Sequence, residues 1–296
     1  MMQYRRLGRT ELSVSVVGVG AWQLAGVWGK TFEQSEVDSI LSRAGELGIN
    51  FIDTAECYGP DHLSERLIGS AIAHQRERWI VATKFGHNPG NDLGDENYGP
   101  AQVLIQLEDS LRALRTDYID LYQLHSAPDE HFDNDDLWTM LNKQVDAGKI
   151  RFLGNSLGRP KMQQQVSKSR EYGISVLQTV YNAITRRAAK FVFPVASEMD
   201  LGVIARAPLA MGLLSGKYQR EHVFDDVRAL FLPRNNLSQR LDAAHEALKA
   251  KPPGVNAATW AIAWCLQNPQ VGTVIPGIKS LAQLELNALA GIDASA

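Results

Sequence analysis

Eight short apolar runs rich in β-branched residues recur along the whole chain, and they constrain the fold more than any other feature. They occupy residues 16–19, 50–53, 79–84, 118–125, 150–154, 175–181, 202–207 and 271–275. Runs of this length are too short for helices, and their near-continuous apolar character is that of strands covered on both faces. Helical periodicity fills the intervals. Residues 35–47 place Val37, Ile40, Leu41, Ala44 and Leu47 on one face and stop at Gly48. Residues 109–114, 136–147 (stopping at Gly148) and 257–266 read alike. Strand and helix alternating in this way predict an α/β chain folded as a parallel (β/α)8 TIM barrel. A doubly wound open sheet is the alternative. It usually carries a glycine-rich turn after its first strand, whereas Gly18-Val-Gly-Ala-Trp-Gln-Leu is not G-x-G-x-x-G and helical periodicity begins only at Ser35.

Residues 4–14 read as a β-hairpin around Gly8-Arg9-Thr10, placed to plug the barrel floor. Two long connections, 86–100 and 208–256, both follow strands, so both belong over the C-terminal mouth, where long loops serve as functional covers. At roughly 150 residues per domain the length alone suggests two domains, but α/β barrels of ~250 residues count as one. No repeat, low-complexity tract or linker divides the chain, so a single domain over residues 1–296 is expected.

Thirty Lys and Arg against 33 Asp and Glu leave a net charge of -3, which offers no surplus of cations for a nucleic-acid backbone. Cys57 and Cys265 are the only cysteines; they form no C-x-x-C and no zinc-like pairing with histidine, which points to a reduced, cytoplasmic setting. The Arg5-Arg6 pair suggests an export signal, but Thr10, Glu11, Ser13 and Ser15 interrupt the apolar stretch that should follow. The run 16–22 is far below the ~20 residues that span a bilayer, so no membrane association is expected. The acidic stretch 129–136 reads as a solvated helix entry rather than a metal site.

In a barrel, polar residues that end apolar strands point into the mouth. The second run ends in Asp53, the third in Lys84 and the fourth in His125, and Tyr58 lies five residues past Asp53. Singly, each has an ordinary structural reading. Together they bring a carboxylate, a cation, a phenol and an imidazole to adjacent strand ends, a set suited to reducing a carbonyl. A phenol near pKa 10 is a poor acid at neutral pH, and a neighbouring ammonium favours its phenolate. Asp53 would hold Lys84 charged, and His125 could donate a hydrogen bond to the carbonyl oxygen. No side chain supplies a hydride, so a nicotinamide cofactor is implied.

Asp53-Thr-Ala-Glu-Cys-Tyr58-Gly, Thr83-Lys84-Phe-Gly, Asp120-Leu-Tyr-Gln-Leu-His125, Gly212-Leu-Leu-Ser-Gly-Lys217-Tyr and Ile275-Pro-Gly-Ile-Lys279-Ser follow one another in order and with family-like spacing. From about Gln3 to Leu289 the chain thereby resembles the aldo-keto reductase family. The resemblance implies an NAD(P)H-dependent oxidoreductase on one (β/α)8 barrel, acting reversibly on small aldehydes, ketones or sugars. Its tetrad is filled: Tyr58 as general acid, Lys84 tuning it, Asp53 pairing with Lys84, and His125 orienting the substrate. It also implies that Ser156 and Gln178 hold the nicotinamide carboxamide and that Leu213, Ser215 and Lys217 run along the pyrophosphate. Lys279, Ser280, Gln283 and Asn287 would take the adenosine end. The cation and hydroxyl of Lys279 and Ser280 suit a ribose 2′-phosphate, so NADP(H) is expected over NAD(H), with no metal.

Three positions depart from the family pattern. Leu157 follows Ser156 where Asn is common, leaving one amide contact missing or supplied by Asn155. Arg206 stands where an aromatic ring often stacks on the nicotinamide, a role a planar guanidinium can also fill. Leu286 replaces a common acidic adenine contact. Trp22, Trp28 and Phe85 would line the substrate pocket; Trp22 matches a pocket-wall position of the family, and Trp28 reads equally as packing. Cys57 reads as packing. Two other functions stay open at this level: a Schiff-base lyase or aldolase using Lys84, and an NADP-binding regulatory subunit with little or no catalysis.

Overall fold

The computed structural model describes residues 1–88, 96–158 and 162–292. The opening hairpin pairs β1 (Tyr4–Arg6) with β2 (Ser13–Ser15), Tyr4 lying opposite Ser15. Eight strands follow, each parallel to the next: β3 (Val19–Gly20), β4 (Phe51–Asp53), β5 (Ile80–Phe85), β6 (Ile119–His125), β7 (Ile150–Ser156), β8 (Ile174–Val180), β9 (Gly202–Arg206) and β10 (Thr273–Ile275). Parallel bridges Val17↔Val274 and Gly20↔Gly277 join the last strand to the first, so the sheet closes on itself as a (β/α)8 barrel. The first apolar run therefore divides its work. Val16 and Gly18 exchange backbone hydrogen bonds with Val274 along the closing seam, and the strand proper is Val19–Gly20. Gly20 is needed there, because a Cβ would lie 2.7 Å from the carbonyl oxygen of Ile275.

Inward-facing Phe51, Ala82, Leu121, Val176, Ile204 and Ile275 fill the barrel, and Leu7, Leu12 and Val14 of the hairpin close it from below. Leu7 is fully buried, and the absence of side chains at Gly202 and Gly272 makes room for it: a Cβ at either would come within 2.9 Å of the leucine. The hairpin is thus the expected floor plug.

Outside the barrel, α1 (Gln34–Glu46) buries Val37, Ile40, Leu41 and Ala44, and the chain leaves it at Gly48 with φ +82. The next two helices are α2 (Leu63–Ile72) and α3 (Pro100–Leu114). The last of these is much longer than the expected 109–114. Its first turns bury Gln106, whose carboxamide accepts from Gly86 N–H and donates to the Asn97 carbonyl, so a polar residue on the inner face masks the apolar period. The long connection after β9 also carries more structure than expected. Helices Arg228–Phe231 and Arg234–Leu248 lie within it, the latter burying only the narrow stripe Leu237, Leu241 and Ala244. Those residues join Leu213, Leu214, Phe224 and Trp260 in a small apolar cluster of their own beside the mouth. In the connection after β5, residues 89–95 of the expected cover lie outside the described residues. Among the described residues no helix is long and apolar enough to cross a membrane.

Candidate active site

Side chains alternate across a strand with period two. Because Phe51, Ala82 and Leu121 face the barrel interior, Asp53, Lys84 and His125, an even number of residues farther along the same strands, face it as well, nearer the C-terminal mouth. There Lys84 Nζ donates to Asp53 Oδ1 at 2.6 Å and to the Thr54 carbonyl at 2.7 Å, and stands 3.3 Å from Tyr58 Oη. Lys84 and Asp53 are almost fully buried, at 1% and 2% exposure, so their charges are stable only as a well-bonded pair. The second carboxylate oxygen of Asp53 is met by two more donors, Gln178 Nε2 at 2.6 Å and Gln123 Nε2 at 3.1 Å. Gln123 was not singled out in the sequence, although it lies two residues before His125 on the same strand and therefore on the same face.

The ring of His125 meets that of Tyr58 edge-on at 6.1 Å between centroids, and both side chains line the mouth cleft. Burial holds the His125 imidazole well below the ordinary histidine pKa, and the Lys84, His87 and Arg206 charges act in the same direction. The imidazole is therefore neutral at neutral pH. Its backbone is anchored from behind, the carbonyl oxygen accepting from His87 Nε2 and from Tyr98 Oη, each at 2.9 Å. Neither anchor had a signal in the sequence, since both lie in the irregular connection after β5.

The cleft has a volume of ≈ 590 Å³. Trp22 lies over Tyr58 with ring centroids 6.2 Å apart and planes at 29°, and Trp28 and Phe231 meet Trp22 edge-on. Trp22 and Trp28 thus form one wall of the cleft, and Phe231 joins them from the long connection after β9. Phe85 does not. It is fully buried against Tyr122 among the outer core residues, because the alternation that turns Lys84 inward turns Phe85 toward the helices.

Ser156 and Gln178 are direct partners in the β7–β8 register, with Ser156 Oγ donating to Gln178 Oε1 at 3.3 Å. Asn155 points the opposite way and gives its amide to Gln165 in the helix layer at 3.0 Å, so it does not replace the contact missing at Leu157. Arg206, at the end of β9, reaches across to the Leu157 carbonyl at 3.2 Å and lines the cleft.

Farther along the cleft, Ser215 and exposed Lys217 border it, whereas the Leu213 side chain is packed into the small outer cluster. Lys279 Nζ donates to the Trp28 carbonyl, and Lys30 Nζ returns a bond to the Lys279 carbonyl at 2.8 Å, tying the β3 and β10 loops together. Gln283 Oε1 accepts from Lys279 N–H at 2.8 Å, and Asn287 is buried with its amide 3.4 Å from the Gly277 carbonyl. Ser280 departs from its expected role: its hydroxyl accepts from Gln283 N–H as the N-cap of helix Leu281–Ala288, and it is not part of the cleft wall. Leu286 is in that wall. The connection after β9 adds two unforeseen cations, Arg228 and Arg240. Arg228 is paired with Asp226, donates to Tyr218 Oη at 2.7 Å and lies over the Phe224 and Trp28 rings. Arginines in a long irregular segment look like surface residues in a sequence; only the fold of that segment over the mouth reveals them.

The closed (β/α)8 barrel is the fold of the aldo-keto reductases, a family of oxidoreductases. The Aldo/keto reductase family matches residues 16–293, and the chain belongs to that family. It is 31% identical to L-glyceraldehyde 3-phosphate reductase of Escherichia coli (strain K12), over 98% of this chain and 87% of that protein. It is 30% identical to a probable voltage-gated potassium channel subunit beta of Arabidopsis thaliana, over 97% of this chain and 90% of that protein. The holo form of aldo-keto reductase AKR11C1 from Bacillus halodurans superposes with a TM-score of 0.80 at 29% identity, covering 98% of this chain and 91% of that one.

Proposed function

We propose that the protein reversibly reduces the carbonyl of small aldehydes, ketones or sugars with NADPH as the preferred hydride donor. The observation that carries this reading is the Tyr58 hydroxyl held 3.3 Å from the Lys84 ammonium, itself fixed by Asp53 at 2.6 Å.

The cleft suits a dinucleotide. Among the described residues its wall carries five cations, Arg206, Lys217, Arg228, Arg240 and Lys279, against the single carboxylate of Asp53. That is the reverse of the chain's net charge of -3. Two buried polar atoms of the same wall, Gln23 Oε1 and Trp28 Nε1, have no hydrogen-bond partner among the described residues. Such atoms are costly unless a ligand or water engages them. In this reading Ser156 and Gln178 hold the carboxamide end, Arg206 lies against the ring, and Ser215 and Lys217 follow the pyrophosphate. Arg228, Lys279, Gln283 and Asn287 take the adenosine end.

A bound reduced nicotinamide supplies the hydride. The protein's own part is to place a proton donor and an oxygen-binding group at the carbonyl. Tyr58 gives its proton to the carbonyl oxygen, and the ammonium 3.3 Å away stabilises the phenolate left behind. Asp53, with Gln123 and Gln178 behind it, keeps that ammonium charged and in place. His125, neutral, donates a hydrogen bond to the same oxygen, while Trp22, Trp28 and Phe231 exclude water from one side.

The buried Asp53–Lys84 pair also weighs against the lyase alternative, since a Schiff base needs a neutral amine. Cys57 and Cys265 are buried thiols that form no disulfide, which suits a reducing cytoplasm.

The test is a carbonyl panel assayed at the reduced-nicotinamide absorbance band with NADPH and with NADH, on the parent and on Tyr58→Phe. Turnover with NADPH that is lost in Tyr58→Phe is the expected result. Tight NADPH binding with negligible turnover across the panel would replace the reductase by a cofactor-binding regulatory subunit. Borohydride trapping of substrate on Lys84 would replace it by a lyase.

A further inference from the structure

Cys57 sits immediately before the proton donor in sequence, and its Sγ lies 3.6 Å from His125 Nδ1, within range of a hydrogen bond to sulfur. The thiol is 1% exposed. A neutral imidazole carries one proton, and the nitrogen that holds it is decided by the bond the other nitrogen makes. The His125 backbone is already fixed through its carbonyl by His87 and Tyr98. The Cys57 sulfur is the partner seen at Nδ1, so it is the group able to choose the tautomer. Of the two possible directions, S–H to nitrogen is favoured over N–H to sulfur. An imidazole nitrogen is a strong acceptor and a thiol a weak one, and the thiol is the more acidic donor. With Nδ1 turned to the buried thiol, Nε2 is the ring nitrogen left for the cleft that His125 lines.

We propose that Cys57 is a positioning residue that holds His125 in the tautomer protonated on Nε2, so that the imidazole offers a hydrogen-bond donor to the substrate oxygen. Its catalytic meaning rests on the reductase reading above; the tautomer itself can be read without any substrate. The arrangement also links the two groups that meet the carbonyl oxygen. Cys57 and Tyr58 are consecutive, so the loop that sets the proton donor also sets the imidazole. Because the thiol acts through His125 rather than on the substrate, it changes the quality of the donor and leaves cofactor affinity untouched.

The experiment is 15N–1H correlation spectroscopy of the full-length protein labelled at histidine, with His125 assigned by its disappearance in His125→Gln. The parent should show a pyridine-like Nδ1 and a protonated Nε2 at His125. Cys57→Ala should introduce a population protonated on Nδ1 and lower kcat/KM for a reducible carbonyl roughly three- to tenfold, as expected for one weak hydrogen bond. The NADPH dissociation constant should not change. Cys57→Ser, which keeps a donor, should restore the Nε2-protonated form. A parent spectrum with the proton on Nδ1, or an unaltered His125 tautomer in Cys57→Ala, overturns the proposal. Should Cys57→Ala fold poorly, the parent spectrum and Cys57→Ser still decide it. A tautomer that shifts as expected in a protein that reduces no carbonyl leaves this inference standing and removes the reductase reading instead.

Discussion

The Lys84 ammonium bridges a carboxylate and a phenol, lying 2.6 Å from Asp53 Oδ1 and 3.3 Å from Tyr58 Oη in a setting almost closed to solvent. Two roles are superposed there, and mutation separates them. Lys84→Met should lower kcat by about 10²-fold or more, because the phenolate loses its counter-charge. It should also destabilise the fold by about 3–5 kcal/mol, because Asp53 is left buried without its cation. Adding Asp53→Asn removes the stranded charge, so the double variant should regain much of the stability and none of the activity. Urea unfolding and steady-state rates on the three variants check this; stability and activity recovering together would contradict it.

Lys279 is the cation expected to choose between cofactors. Its ammonium donates to the Trp28 carbonyl, while burial and the nearby Arg228 and Lys30 charges lower its pKa against the opposing pull of Asp226. A 2′-phosphate would compensate this cationic crowding and a free ribose hydroxyl would not. Lys279→Ala should therefore raise the NADPH dissociation constant about tenfold and change that of NADH by less than about twofold. Fluorescence titration with both cofactors measures it. Equal loss for the two would mean that Lys279 holds the Trp28 loop rather than the phosphate.

How far the sequence carried this reading depended on periodicity. The eight strands, and with them the inward direction of Asp53, Lys84 and His125, follow from short apolar runs whose ends are polar. The same period excludes Phe85 when the inward face is counted from Lys84, and admits Gln123 when it is counted back from His125. Asn155 falls to the same argument, since it alternates with Ser156 and so belongs to the helix layer. Where periodicity is broken, the sequence says little. Buried Gln106 hides the beginning of α3, and the narrow apolar stripe of Arg234–Leu248 hides a helix inside an apparent loop. Arg228, Arg240 and Phe231 reach the cleft only because that loop folds over the mouth. Ser280 shows a different limit, because a hydroxyl before a helix serves as an N-cap as readily as a phosphate ligand.

The neutral state of His125 gives the pH response a definite sign. Its folded pKa lies well below 6.5, through burial first and then the Lys84, His87 and Arg206 charges. Between that folded value and 6.5 the unfolded chain takes up a proton that the native chain refuses. This group's contribution to stability is therefore complete above 6.5 and is lost as pH falls through the folded pKa. His125→Gln should flatten that part of the stability–pH curve, measured by urea unfolding between pH 7 and pH 5. In the active protein the acid limb of kcat/KM should lie below 6.5, and Arg206→Met, removing one of the repelling charges, should move it upward. A limb at or above 6.5 in the parent would contradict the assignment.

Glu56 supplies the opposite sign. It is fully buried, accepts from His87 N–H at 2.8 Å through one carboxyl oxygen, and among the described residues has no partner for the other. Burial pushes its pKa well above the usual carboxyl value, and Glu65 adds to this while the His87 N–H and the Lys84 charge oppose it. The native chain thus keeps a proton that the unfolded chain has released above about 4.5. The stability tied to that proton is present in full below the unfolded pKa and is lost as pH rises through the folded one. Glu56→Gln keeps the site neutral at every pH and retains the acceptor for His87. Relative to the parent, it should gain stability progressively as pH rises above the unfolded carboxyl value toward the folded one, and the two should converge at the acid end. Unfolding free energies at a series of pH values test this directly, and parallel curves for parent and variant would show that Glu56 releases its proton in the folded protein as easily as in the unfolded chain.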